Sequence, residues 1–221
     1  MNEVAIFDLD GTLVDLGIDT DDFERCRSSW ASYLTSRGVP TTLKPLLPEL
    51  QRISQTSLGS RLRVDILKSF DQLELACRYG SLGRIDAILD TLKLKFRKLA
   101  LVTHNSLALW VRLTQENTWT RLIDMVITRD DMNFFKPDPR ACEAMFKGLS
   151  PPFGYGECWV VGNSEVDRGL GLNLRRKYSN LVVRTIMINP TCTAGTRLTD
   201  QLDVDIESVD SLLNLVQDVS P

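Results

Sequence analysis

Two aspartates, Asp8 and Asp10, stand two residues apart at the end of the apolar run Val4–Phe7, within Ile6-Phe7-Asp8-Leu9-Asp10-Gly11-Thr12-Leu13. Alternation along an extended strand turns both carboxylates to the same side. Two carboxylates crowded into one crevice repel each other and need a cation or a shared proton. Such a pair suits one as nucleophile and the other as general acid and base. Gly11 lets the chain turn sharply directly after them. The plainer reading is that Asp8 and Asp10 cap a turn, since Asp-Gly is a common turn dipeptide.

Three further segments place polar groups after apolar runs. Thr103-His104-Asn105-Ser106 precedes a helical pattern, so a hydroxyl and backbone amides at a helix N-terminus form a phosphate cradle as well as an N-cap. His104 is the only histidine, which excludes a multi-histidine metal site; Asp10 already fills the acid/base role that it would otherwise suggest. In Lys136-Pro137-Asp138-Pro139, Asp138 reads as an N-cap and Pro139 as the first helical residue, with Lys136 held before them to neutralise phosphate or carboxylate charge. Val160-Val161-Gly162-Asn163-Ser164-Glu165-Val166-Asp167 offers oxygen ligands suited to Mg²⁺.

The elements that must position these groups are buried strands alternating with helices. Val4–Phe7, Leu99–Val102, Cys158–Val161 and Leu181–Ile188 read as parallel strands, with Leu122–Ile127 as a fifth. Leu107–Gln115 and Cys142–Leu149 carry helical patterning between them. This predicts an α/β fold, a doubly wound, Rossmann-like parallel sheet. The 91 residues from Thr12 to Thr103 far exceed the roughly 30 of one βαβ unit. Within them Phe23, Cys26, Trp30 and Leu34, then Leu62, Ile66, Phe70, Leu73 and Cys77, recur at helical spacing, and Gly80 sits where the second helix would end. An all-helical subdomain is therefore expected over residues 16–82, inserted into a core of residues 1–15 and 83–221. Ile85, Ile88, Leu89 and Leu92 mark a helix returning the chain to the sheet.

The 26 basic and 29 acidic residues give a net charge of -3, and their mixing along the chain leaves no footprint for nucleic acid or an anionic membrane. The five scattered cysteines suggest neither a disulfide framework nor a zinc site. No apolar run approaches the roughly 20 residues of a membrane span. The N-terminus lacks the basic start and length of a signal peptide. A cytoplasmic protein without nucleic-acid or membrane partners is expected.

In their order and placement these four segments resemble the haloacid dehalogenase-like hydrolase superfamily, from Val4 to about Val216, including an ending in Leu202-Asp203-Val204-Asp205-Ile206 and a helix with Leu212–Val216. The resemblance implies that Asp8 attacks phosphorus while Asp10 protonates the leaving oxygen and then activates water. Thr103 would hold the phosphoryl oxygens and Lys136 would offset transition-state charge. Phosphate binding would fall to Gly11, Thr12, Thr103, His104, Asn105 and Lys136. The implied cofactor is Mg²⁺, held by Asp8, the Asp10 carbonyl, Asn163 and Asp167. The insert would be the family's helical cap, which closes over the site. Retention of Asp10 favours phosphate esters over the dehalogenase and phosphonate-cleaving branches. The fourth segment departs from the family pattern: Asn163 stands where a metal-binding aspartate is usual, and Arg168 and Arg175 replace apolar and small residues. The expected activity is a Mg²⁺-dependent phosphatase for a small phosphorylated metabolite; a phosphomutase of the same fold, or a weakened member that only binds, are the alternatives.

Overall fold

The computed structural model describes residues 3–148, 156–191 and 202–218. Its centre is a six-stranded sheet in the order β5-β4-β1-β6-β7-β8, parallel throughout. The strands are β1 (Val4–Phe7), β4 (Lys98–Val102), β5 (Met125–Ile127), β6 (Gly156–Gly162), β7 (Leu181–Ile188) and β8 (Asp203–Ile206). All four side chains of β1 are buried, the pattern of a strand covered on both faces. Helices α4 (Ile85–Lys95), α5 (Leu107–Glu116), α6 (Glu143–Gly148), α7 (Glu165–Lys177) and α8 (Leu212–Asp218) alternate with them. The α/β reading of the sequence therefore holds.

The chain runs from β1 to β4 and β5 on one side, then returns to β6, β7 and β8 on the other. The order reverses around β1, and the C-terminal ends beside such a reversal are where open α/β sheets build their crevices. Register places Phe7 opposite Leu101 and Val161, so the residues after β1, β4 and β6 emerge side by side.

Two compact units divide the chain: Leu16–Arg78, and residues 1–15 with 79–221. In the first, α1 (Thr20–Ser36), α2 (Leu46–Ile53) and α3 (Ser57–Ala76) bury Leu34, Leu50, Ile53, Ile66 and Phe70. Phe23 tilts against Phe70 at a centroid distance of 5.0 Å. Asp19 caps α1 by accepting from the amides of Asp21 and Asp22. In the second unit, β2 (Val14–Asp15) pairs antiparallel with β3 (Gly80–Ser81), where the chain leaves that unit and rejoins it.

Several local expectations are corrected. Gly80 lies in β3, and α3 ends earlier, at Ala76. Leu122–Ile127 is a strand only over Met125–Ile127, because Trp119–Leu122 forms a 3₁₀ turn with Trp119 buried. Asp138 does accept from the amide of Arg140, but it opens a 3₁₀ turn, Pro139–Cys142, and the helix proper begins at Glu143. Arg168 and Arg175 have a structural use. They lie two turns apart on α7 and pair with Asp205 at 2.9 Å and Asp203 at 2.8 Å, two residues apart on β8. These half-exposed pairs orient the edge strand more than they stabilise it. Among the described residues no helix is long and apolar enough to cross a membrane. Cys77, Cys142 and Cys158 are buried free thiols.

Candidate active site

The end of β1 delivers Asp8 between the ends of β4 and β6, and its amide donates to the Val161 carbonyl at 2.9 Å. The Asp8 carboxylate accepts from Lys136 Nζ at 2.7 Å, and the same ammonium donates to Asp167 Oδ1, also at 2.7 Å. Only 3% of the Lys136 side chain and 13% of the Asp8 side chain is exposed. Burial lifts the Asp8 carboxyl to about 6; Lys136 opposes that rise and the nearby Asp167 adds to it. Burial alone would lower Lys136, but the Asp8 and Asp167 carboxylates outweigh it and hold the ammonium protonated. Asp167 moves the other way from Asp8: burial would raise it, and Lys136 with Ser164 brings it down.

Asp167 has little left to offer a metal directly. Its second oxygen, Oδ2, accepts from the Ser164 amide at 3.1 Å and from Ser164 Oγ at 2.5 Å, closing a capping box at the start of α7. The structure thus brings Asp167 to Lys136 and Ser164.

Asn163 follows β6 and presses on the Asp8–Thr12 loop. Gly11 has φ of +74°, and a Cβ built there would lie 1.9 Å from Asn163 Nδ2. That close approach needs glycine twice over, for the backbone angle and for the space. Gly11→Ala is expected to cost about 1–3 kcal/mol through strain at this loop, read as a lowered urea midpoint, with activity falling alongside.

Thr103 is fully buried at the end of β4, and its hydroxyl donates to Asn105 Oδ1 at 2.6 Å while accepting from the Asn105 amide. The loop is closed into a hydroxyl-centred turn before Ser106 caps α5 by accepting from the Leu109 amide. His104 packs edge-on to Phe135 with centroids 5.8 Å apart, and its carbonyl accepts from Arg129 at 2.9 Å. Burial, then the Lys136 charge, drives its imidazole down to about 3, so it is neutral near pH 7. Thr12 is also fully buried, with a hydroxyl that has no partner among the described residues.

Lys136 is set by α7 as well as by its own loop. Asn173 Nδ2 donates to the Pro137 carbonyl at 3.0 Å, and a Cβ on Gly169 would lie 2.9 Å from Pro137 Cβ. Sequence reasoning missed both residues, since neither carries chemistry and only the packing of α7 on this loop makes them matter.

As for a metal, no group of three or more His, Cys, Asp or Glu among the described residues is arranged to hold one. The donors that remain are the Asp8 carboxylate, the Asp10 carbonyl and the Asn163 amide, whose side chain covers Gly11. All are hard oxygens, and Mg²⁺ accepts one or two carboxylates with several waters. The set fits Mg²⁺, with a single charged ligand.

The family model for haloacid dehalogenase-like hydrolases matches residues 3–171, about three quarters of the chain. The chain belongs to the haloacid dehalogenase-like hydrolases. Solved structures share this family's fold over nearly their whole length. A 2-haloacid dehalogenase from Pseudomonas syringae is 17% identical with a TM-score of 0.58, and the alignment covers 100% of both chains. CbbY from Rhodobacter sphaeroides, solved in complex with phosphate, is 17% identical, with 95% of each chain covered and a TM-score of 0.53. YfnB from Bacillus subtilis, bound to magnesium, is 13% identical, with 97% of this chain and 98% of its own covered and a TM-score of 0.54. Among curated proteins none matches the sequence. At these identities the neighbours establish the fold of this haloacid dehalogenase-like hydrolase, and its reaction has to be argued from its own residues.

Proposed function

We propose that this hydrolase is a Mg²⁺-dependent phosphatase acting on a small phosphomonoester through an aspartyl-phosphate on Asp8. The observation that carries the reading is the buried Asp8–Lys136–Asp167 chain, with both bonds at 2.7 Å. Lys136 favours the ionised form of Asp8, which is the nucleophilic form, and places a positive charge beside the phosphoryl group as negative charge develops.

Asp8 Oδ attacks phosphorus, the P–O bond to the alcohol breaks, and Asp10 gives its proton to the departing oxygen. Asp10, now ionised, takes a proton from water, whose oxygen attacks the acyl phosphate and frees inorganic phosphate and Asp8. The Thr103 hydroxyl, the His104 backbone amide and the Thr12 hydroxyl, which has no partner among the described residues, hold the phosphoryl oxygens. Magnesium, held by Asp8, Asp10 and Asn163, would supply neutralisation of phosphate charge when bound. Asp167 serves by anchoring Lys136. The helical unit Leu16–Arg78 acts as the cap that selects the alcohol, and the buried free thiols fit a cytoplasmic setting.

The test is phosphate release from a panel of phosphorylated metabolites with and without Mg²⁺. Metal-dependent release supports the reading, and silence across the panel counts against it. A second reading, a member that binds without turnover, is favoured by the one charge missing at Asn163. Asn163→Asp separates the two. If the parent is a phosphatase, the variant reaches half-maximal activity at roughly tenfold lower Mg²⁺. If activity emerges only in the variant, the parent is the binder.

A further inference from the structure

We propose that Asn173 is a positioning residue: its side-chain amide fixes the Pro137 carbonyl, and through it the backbone from which Lys136 reaches Asp8 and Asp167. The consequence for turnover rests on the phosphatase reading above; the geometry does not.

A lysine ammonium sits on a flexible four-carbon stem, so holding it at 2.7 Å from two carboxylates at once requires a fixed backbone origin. The segment that carries Lys136 has few means of fixing itself. Pro137 and Pro139 have no N–H to donate, and the Asp138 amide donates back to the Phe135 carbonyl at 3.0 Å, within the same turn. The Pro137 carbonyl is instead held from outside the loop. It accepts at 3.0 Å from Asn173 Nδ2, 36 positions further along the chain and on α7.

The same helix supplies the rest of the cradle. Gly169 lets the Pro137 ring lie against α7 more closely than a side chain there would allow. Asp167, which accepts from the Lys136 ammonium, stands in the first turn of α7, and Asn173 lies about 9 Å further along the axis at ~1.5 Å per residue. Lys136 is therefore tied to one rigid helix at both ends, by its backbone through Asn173 and by its ammonium through Asp167. Asparagine is otherwise a poor choice for the interior of α7, because its side chain competes with the helical backbone for hydrogen bonds. A residue serving only as a solvated helix face would be Lys, Glu or Gln.

Labelling the full chain with ¹⁵N-lysine tests this without substrate. A buried ammonium bonded to carboxylates exchanges its protons slowly, so Lys136 gives a protected Nζ signal near pH 7, assigned by its disappearance in Lys136→Met. The expected result is a severalfold loss of that signal in Asn173→Ala and equally in Asn173→Asp, which keeps the shape of the side chain but not its N–H donor. With p-nitrophenyl phosphate, both variants lower kcat about tenfold and move KM by less than about twofold, because the charge that Lys136 meets builds up in the transition state. In a Lys136→Met background, Asn173→Ala lowers kcat no further, an outcome that a merely structural role for Asn173 would not give. A parent without a protected Lys136 signal overturns the proposal, as do an unchanged signal in Asn173→Ala, parent-like behaviour of Asn173→Asp, or a tenfold loss of kcat that persists in the Lys136→Met background. If the parent releases no phosphate while both variants lose the Nζ signal, the phosphatase reading fails and the positioning role stands.

Discussion

Asp8→Asn is expected to lower phosphate release by about 10⁴-fold or more, because the amide is not a nucleophile and no second carboxylate is bonded to Lys136 from the same position. The same variant is expected to unfold at higher urea concentration than the parent near pH 7. In the folded chain Asp8 titrates near 6, above its ordinary 3.8, so the native state binds this proton more tightly than the unfolded chain does. That preference is fully favourable to folding below pH about 4 and is lost as pH rises through 6, leaving an ionised, desolvated carboxylate in the native site. Asparagine carries no such cost. In EDTA-containing buffer the two stability curves should therefore converge toward pH 4 and separate toward pH 7, with the variant above. Activity of the parent should run the opposite way and fall at acid pH as Asp8 becomes protonated, with a midpoint that moves lower as Mg²⁺ is raised, because a bound cation favours the ionised carboxylate. A variant that is less stable than the parent at pH 7 would mean that Lys136 stabilises Asp8 by more than burial costs it.

Lys136→Met is expected to be the most damaging substitution for the fold as well as for turnover. The methionine fills the same buried channel but leaves Asp8 and Asp167 facing each other without the ammonium that each accepts from at 2.7 Å. Removing one partner of a buried ion network costs about 3–5 kcal/mol. Activity should fall by about 10²–10³-fold from loss of the positive charge at the transferring phosphoryl group. The stability loss is the more informative readout. It should shrink at low pH, where both carboxylates are protonated, and it should be smaller in the double variant Lys136→Met/Asp167→Asn than in the single one. Equal losses in the single and double variants would mean that Asp167 and Lys136 are not energetically coupled.

What was readable in the sequence follows from where each residue's role is decided. Asp8, Thr103, Lys136 and Asn163 stand directly after apolar runs or before a proline-bounded turn, and in an open parallel sheet the strand ends are brought together by topology alone. The sheet register, Phe7 beside Leu101 and Val161, is a consequence of continuous buried strands. β8 was harder to read as a strand, because Asp203 and Asp205 alternate with Val204 and Ile206 and look like a solvated segment until Arg175 and Arg168 are seen to meet them. The hairpin β2–β3 has two residues on each side, too few for any periodicity. Helix α2 follows Pro45 with Pro48 inside its first turn, a composition that reads as loop although proline is tolerated there. The family resemblance implies Asp167 as a metal ligand. In the structure its bonds run to a residue 31 positions away in the chain, which local sequence does not show, and to the cap of its own helix, which the Ser164-x-x-Asp167 spacing does.

The central claim is the covalent step on Asp8. The most direct test is rapid acid quench of the parent enzyme during turnover of a phosphomonoester that it hydrolyses, followed by peptide mass spectrometry. The account predicts one phosphoryl group on the peptide containing Asp8, absent from Asp8→Asn and absent when substrate is omitted. Steady hydrolysis with no phosphoryl group on that peptide, or with the label on another residue, would contradict it.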